Sequence, residues 1–169
     1  MKAILFSFLL FLTNDALAQV KPGTFALKNV ETGMYVRIKD ANSAEGTPIV
    51  AYDPVNWKCV TWELKPDAGT TWQLVNLFSH KTLGLAGSNH TKQQASAQEL
   101  FEQQVQKGSA SQLYEFIPAG KDQYRIRHKN TGLYMTMSAS AGTNDPVYLA
   151  TFTETKNQLW TLHEQHPTI

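Results

Sequence analysis

The stretch Thr155-Lys-Asn-Gln-Leu-Trp-Thr-Leu162 places Gln158 two residues before Trp160, and Trp160 two residues before Leu162. Taken alone, Gln-x-Trp is open to three readings: part of a sugar site, a buried packing unit, or an accident of a short window. Register decides among them. An aromatic followed two positions on by an apolar residue also occurs at Trp62-Glu-Leu64 and Tyr114-Glu-Phe116, with Val60 and Gln112 two positions before each aromatic. The tripeptide is thus the third instance of a repeated feature, and internal repeats constrain a fold before any other signal does.

Working backward from each closing segment gives three openings of the same kind: Phe25-Ala-Leu27, Trp72-Gln-Leu74 and Tyr124-Arg-Ile126. A polar turn and a second apolar run follow each opening. They read NVETGMYVRI with Thr32-Gly33-x-Tyr35, HKNTGLYMTM with Thr131-Gly132-x-Tyr134, and a degraded NLFSHKTLGL in the middle. Glycine after threonine suits a tight hairpin that needs positive φ. The runs GTPIVAY (46–52) and GTNDPVYLA (142–150) each add a turn and a third strand. The units span 25–64, 72–116 and 124–162, each with four short period-two runs separated by turn residues. That pattern predicts an all-β fold of twelve strands in three pseudo-repeats, closed as a barrel. Residues 93–107 contain good helix formers and could hold a helical turn, but the repeat requires a strand over 97–101, and the strand is preferred.

The N-terminus has Lys2, an apolar run from Ala3 to Leu12 and a small-residue ending Ala16-Leu17-Ala18. This is the layout of a signal peptide cleaved after Ala18, too short to span a bilayer. The expectation is a secreted or periplasmic protein: residues 1–18 as signal peptide and 19–169 as a single domain, with no membrane insertion. Cys59 is the only cysteine, so the fold has no internal disulfide, and its thiol reads as a small buried apolar group. A formal charge of +1 with mixed signs gives no footprint for nucleic acid. His163-x-x-His166 lacks a third ligand, so neither metal nor cofactor is expected. Asn89-His-Thr is a glycosylation sequon by pattern.

Three units of aromatic-x-apolar, Thr-Gly-x-Tyr, Gly-Thr and Gln-x-Trp resemble the ricin-B-type lectin domain, a β-trefoil, over nearly the whole chain after residue 18. The resemblance implies a non-catalytic carbohydrate-binding protein. A family sugar site combines an Asp after the second hairpin strand, an aromatic on the third, and an Asn just before Gln-x-Trp. In the third unit Asn157 and Gln158 match, while Thr136 and Ala150 stand at the Asp and aromatic positions, with Asn144, Asp145, Tyr148 and Phe152 nearby. In the first unit Tyr52 stands at the stacking position, Arg37 at the Asp position and Cys59-Val60 at Asn-Gln. In the second, Phe101 aligns with the aromatic, Gly84 with the Asp and Ser111 with the Asn.

Trp62, Tyr114 and Trp160 recur in every unit and are read as core, with Gln112 and Gln158 mainly serving the fold. The run YDPVNWK does not recur, and it brings Tyr52, Asp53, Asn56 and Trp57 into one loop. Rings stack on apolar sugar faces while polar side chains read hydroxyls, so this loop is the leading binding feature. The candidate carbohydrate ligands are therefore Tyr52, Asp53, Asn56, Trp57, Asn144, Asp145, Tyr148, Asn157 and Gln158. A protein partner is the alternative, with the polar loop 88–98 as the protruding element. A hydrolase is the third reading, for which no pair of carboxylates could be placed.

Overall fold

The computed structural model describes residues 19–85, 98–105, 108 and 110–169, with backbone only at 98–100. The expected signal peptide, the Asn89 sequon and nearly all of the 88–98 loop lie outside these residues. Twelve strands are present among the described residues: β1 Gly23–Asn29, β2 Tyr35–Ile38, β3 Ile49–Tyr52, β4 Trp62–Pro66, β5 Thr71–Asn76, β6 Thr82–Leu85, β7 Gln98–Gln104, β8 Tyr114–Gly120, β9 Gln123–His128, β10 Tyr134–Met137, β11 Val147–Ala150 and β12 Trp160–Glu164.

The first and last strand of each unit form the barrel. β1 pairs with β4, β4 with β5, β5 with β8, β8 with β9, β9 with β12, and β12 returns to β1. This six-stranded ring has no free edge. The remaining strands make three hairpins, β2–β3, β6–β7 and β10–β11. β7 pairs with β11, and single bridges at Pro48–Glu102 and Val50–Pro146 tie β3 to its two neighbours, so the hairpins close into a triangular cap. Three four-stranded units arranged this way are a β-trefoil.

The core repeats with the same period. Leu27, Leu74 and Ile126 come from the opening strands, Val36, Leu83 and Met135 from the second strands, and Trp62, Tyr114 and Trp160 from the closing strands; all are fully buried. The Trp62 indole N–H donates to the Val36 carbonyl at 2.9 Å and that of Trp160 to Met135 at 3.0 Å. Tyr114 keeps the ring, but its hydroxyl is buried with no partner among the described residues. Burial alone pushes that phenol well above the ordinary tyrosine range.

The hairpin turns follow the predicted glycine logic. Gly33 and Gly132 have φ of 73° and 75°. In the degraded middle unit His80 holds the same place at φ 57°, a conformation that costs a residue with a Cβ about 1–2 kcal/mol. In all three turns the amide at this position donates to the carbonyl four residues back.

One repeated element was not legible in the sequence: a buried polar side chain at the end of each opening strand. Asn29 donates to the Asn157 and Leu159 carbonyls, and Asn76 to those of Cys59 and Thr61. The carboxamide oxygens accept backbone N–H groups of the following turn, Glu31 and Thr32 in one case and Phe78 and Ser79 in the other. Each side chain thereby pins its own hairpin to the 3-10 turn before a closing strand of the previous unit. His128 occupies the third position. Its Nε2–H donates to the Ser111 carbonyl at 2.9 Å while Nδ1 accepts the Thr131 amide at 3.3 Å.

Burial holds the His128 imidazole below the ordinary histidine range, against the opposing pull of the Ser111 carbonyl. A proton on Nδ1 would face the Thr131 N–H. The unfolded chain takes up that proton near pH 6.5, before the folded protein does, so stability falls as pH drops through and below that value. His128→Asn restores the side chain used in the other two units. It is expected to flatten the acid limb of a urea-midpoint-versus-pH curve between about pH 7 and 5 relative to wild type. Parallel curves for the two proteins would count against this account.

Two sequence expectations change. β7 is a strand, as the repeat requires, but it runs to Gln104, because it pairs along its length with β6 and β11. Phe101 also shifts role. Leu85 pairs with Phe101 as Ile38 does with Ile49 and Met137 with Val147, so Phe101 is a core residue, fully buried. The stacking position of the second unit falls on Gln104, the partner of Thr82, as Tyr52 is of Tyr35 and Ala150 of Tyr134.

Candidate functional site

The Asp position is closed in each unit, and by a different side chain. In the second unit a Cβ on Gly84 would lie 2.2 Å from Gln104 Oε1, so Gln104 fills that space, its amide donating to the Leu85 carbonyl at 3.0 Å. In the third unit Thr136 is buried and accepts the Gln158 amide at 3.0 Å. Gln158 is itself buried: its Nε2 also donates to Thr151 O, and its Oε1 accepts the Thr153 amide. That leaves Gln158 no free donor. Asn157 is half-buried, with its carboxamide oxygen accepting the Thr155 hydroxyl at 2.5 Å. Tyr148 is half-buried on β11 between Thr136 and Leu100.

The first unit is different. β2 and β3 place Arg37 diagonally across from Tyr52, and the guanidinium carbon sits 3.7 Å from the Tyr52 ring centroid. Nη2 of Arg37 donates to Asn144 Oδ1 at 2.8 Å and to Asp40 Oδ1 at 3.3 Å. The side chain is 7% exposed against 67% for Asp40, so solvent screens the ion pair and the bonds to Asn144 and the ring dominate. Arg37 Nε is buried without a partner among the described residues.

Asn144 belongs to the third unit. It reaches the first because the turn at 142–145 docks on β3: Asn144 N–H donates to Ala51 O at 2.9 Å and Ala51 N–H to Asp145 O at 2.8 Å. Asn144 adopts φ 72° in this turn, which Asp145 tightens by accepting the Gly142 amide. Thr143 donates from its hydroxyl to Asp53 at 3.0 Å. Candidates assigned by sequence to two separate units therefore share one surface: Tyr52, Asp53, Asn56 and Trp57 from one side, Asn144 and Asp145 from the other.

Trp57 is the outermost ring of this surface. It is 38% exposed and lies 6.1 Å from the Tyr52 centroid at an interplanar angle of 36°. Asp53 and Asn56 are exposed beside it. Cys59, below the loop, is buried; desolvation pushes its thiol upward although Arg37 pulls the other way. A thiol held protonated is a poor nucleophile. Next to the loop a cavity of about 190 Å³ is lined by Ala41, Trp57, Lys58, Cys59, Phe78 and Ile169. A second aromatic pair lies in the third unit, where Phe152 is 51% exposed, 5.4 Å from Tyr134 and 4.9 Å from the Arg125 guanidinium carbon. No group of three or more His, Cys, Asp or Glu side chains among the described residues is placed to hold a metal ion.

Among protein families, residues 10–99 match the model described as ricin-type beta-trefoil lectin domain-like. No curated protein matches the chain. Among solved structures it is similar to the designed three-fold symmetric protein ThreeFoil, with TM-score 0.78 and 19% identity over 84% of this chain and 99% of that one. It is similar to the Rhizoctonia solani agglutinin, with TM-score 0.74 and 21% identity over 88% and 99%. The Macrolepiota procera ricin B-like lectin, solved with lactose, gives TM-score 0.67 and 20% identity over 87% and 99%. At these identities the likeness establishes the fold.

Proposed function

The chain belongs to the ricin-type β-trefoil lectin domain-like family, and on that premise we propose that it is an exported protein that binds carbohydrate without catalysis, through the surface shared by its first and third units. The supporting observation is the half-exposed Trp57 ring, braced by Tyr52, with Asp53 and Asn56 exposed on the same loop and Asn144 tied to the Tyr52 ring through Arg37. An indole face takes the apolar side of a pyranose, and the flanking groups bond its hydroxyls. The lactose-bound relative makes a glycan the natural first ligand class to test. Gln158 is buried with its amide engaged within the third unit, and the Asn157 carboxamide oxygen accepts the Thr155 hydroxyl there, so neither is assigned to the proposed surface. Export rests on the basic, apolar and small-residue order of residues 1–18.

A glycan array with wild type, Trp57→Ala and Asn157→Ala tests the reading. Wild type should bind at least one glycan. Trp57→Ala should weaken that binding about tenfold or more, equivalent to roughly 1.4 kcal/mol, and Asn157→Ala should leave it near wild type. Binding that survives Trp57→Ala, or fails in Asn157→Ala alone, would move the site to the third unit.

A second reading is favoured by the cavity beside Trp57. Its lining is nearly all apolar, and Phe78 and Ile169 are 42% and 73% exposed at its rim. Exposed apolar side chains gathered at one place suit a protein partner better than a hydroxylated one. Binding of no glycan by folded wild type would favour this alternative.

A further inference from the structure

We propose that Gln165 is a positioning residue that sets the conformation of the 53–58 loop from outside the barrel. The link of this loop to ligand binding rests on the function proposed above. Gln165 lies one residue beyond β12, and its backbone is fixed twice: its N–H donates to Thr24 O at 3.0 Å, and its carbonyl accepts the Thr24 hydroxyl at 2.5 Å. Held there, its amide Nε2 donates to the Val55 carbonyl at 2.9 Å, in the middle of the loop. Its Oε1 lies 2.8 Å from the Thr61 hydroxyl, which is also 2.8 Å from the Trp57 carbonyl. The segment continues to Ile169, whose carbonyl accepts the Lys58 amide at 2.6 Å.

The loop is thus held on two sides. The 142–145 turn grips its start through Ala51 and Asp53, and the 165–169 segment grips its middle and end through Val55 and Lys58. Within the loop itself Tyr52 and Trp57 make a single ring contact. Neither grip is local in sequence: Gln165 is 110 residues from Val55. Loss of the amide leaves the Val55 carbonyl without that donor and loosens the loop against the 165–169 segment, whose Ile169 carbonyl protects the Lys58 amide.

Gln165→Met, which keeps length and removes both polar atoms, tests this by amide exchange and by acrylamide quenching of Trp57, with Trp57→Phe as the baseline. Exchange at Lys58 should rise about tenfold or more and Trp57 quenching should increase, while barrel amides such as those of Leu27 and Ile126 keep wild-type protection. Unchanged exchange at Lys58, or a rise spread evenly over the barrel, would overturn the proposal, the latter by showing a merely structural role. On the array, weaker binding by Gln165→Met supports the link to ligand, and equal binding by a variant with a mobilised loop overturns that link. If wild type binds no glycan, the proposed function fails while the exchange result still decides the role of Gln165.

Discussion

Trp160→Ala is expected to destabilise the protein by about 3–5 kcal/mol, the range for removing a large aromatic from a core that cannot collapse around the gap. The indole is fully buried on the barrel interior, in register with Asn29 on β1 and Tyr124 on β9. Its loss opens a cavity where the third unit meets the first and leaves the Met135 carbonyl without its donor. Trp160→Phe separates the two effects in part: it keeps most of the volume and loses the hydrogen bond together with the contacts of the second ring, at about 2–3 kcal/mol. Denaturant midpoints at constant m-value measure both. Equal costs for the two variants would mean that packing at Trp160 matters less than its bond.

Asn76→Ala is expected to cost about 3 kcal/mol, unusual for removing so few atoms. One side chain serves four backbone groups: the Cys59 and Thr61 carbonyls and the Phe78 and Ser79 amides. It is fully buried, so water cannot replace those bonds without opening the first-to-second unit junction. Asn76→Asp should be nearly as damaging, since a carboxylate keeps the acceptor but loses the two donations. The same measurement of denaturant midpoints applies, and a loss under about 1 kcal/mol for Asn76→Ala would refute the pinning role.

These two residues mark what the sequence discloses and what it conceals. Trp160 was legible as core because its aromatic-x-apolar spacing recurs three times, and period-two burial forces such residues onto one face of a strand. Asn29, Asn76 and His128 were not, since a polar residue before a turn reads as ordinary turn chemistry until the partner unit is in place. The shift of Phe101 has a similar origin: with little polar alternation over 98–104, only pairing with Leu85 fixes the register. His80 shows the same limit, because the left-handed turn persists where the glycine that signalled it is gone.

At the candidate site the loop carrying Tyr52 and Trp57 could be picked out because it departs from the repeat. Its meeting with Asn144 could not, since nothing local to either segment encodes contact between residues 107 apart, such as Arg37 and Asn144. Arg37 stands where the family resemblance places an acidic residue, and in the fold it braces Tyr52 rather than leaving an open carboxylate for hydroxyls. The surface therefore differs in chemistry from the site the resemblance implies, although it lies on the same hairpin.

The most direct test of this surface as a sugar site is an NMR titration of the wild-type protein with a glycan that it retains on the array, following the backbone amide signals together with the four tryptophan indole N–H signals. Trp62 and Trp160 are fully buried, whereas Trp57 is 38% exposed on the proposed surface. The account predicts a saturable shift of the Trp57 signal, with those of Trp62 and Trp160 unmoved. Saturation with no change at Trp57, or with the largest changes around Phe152 and Asn157, would contradict it.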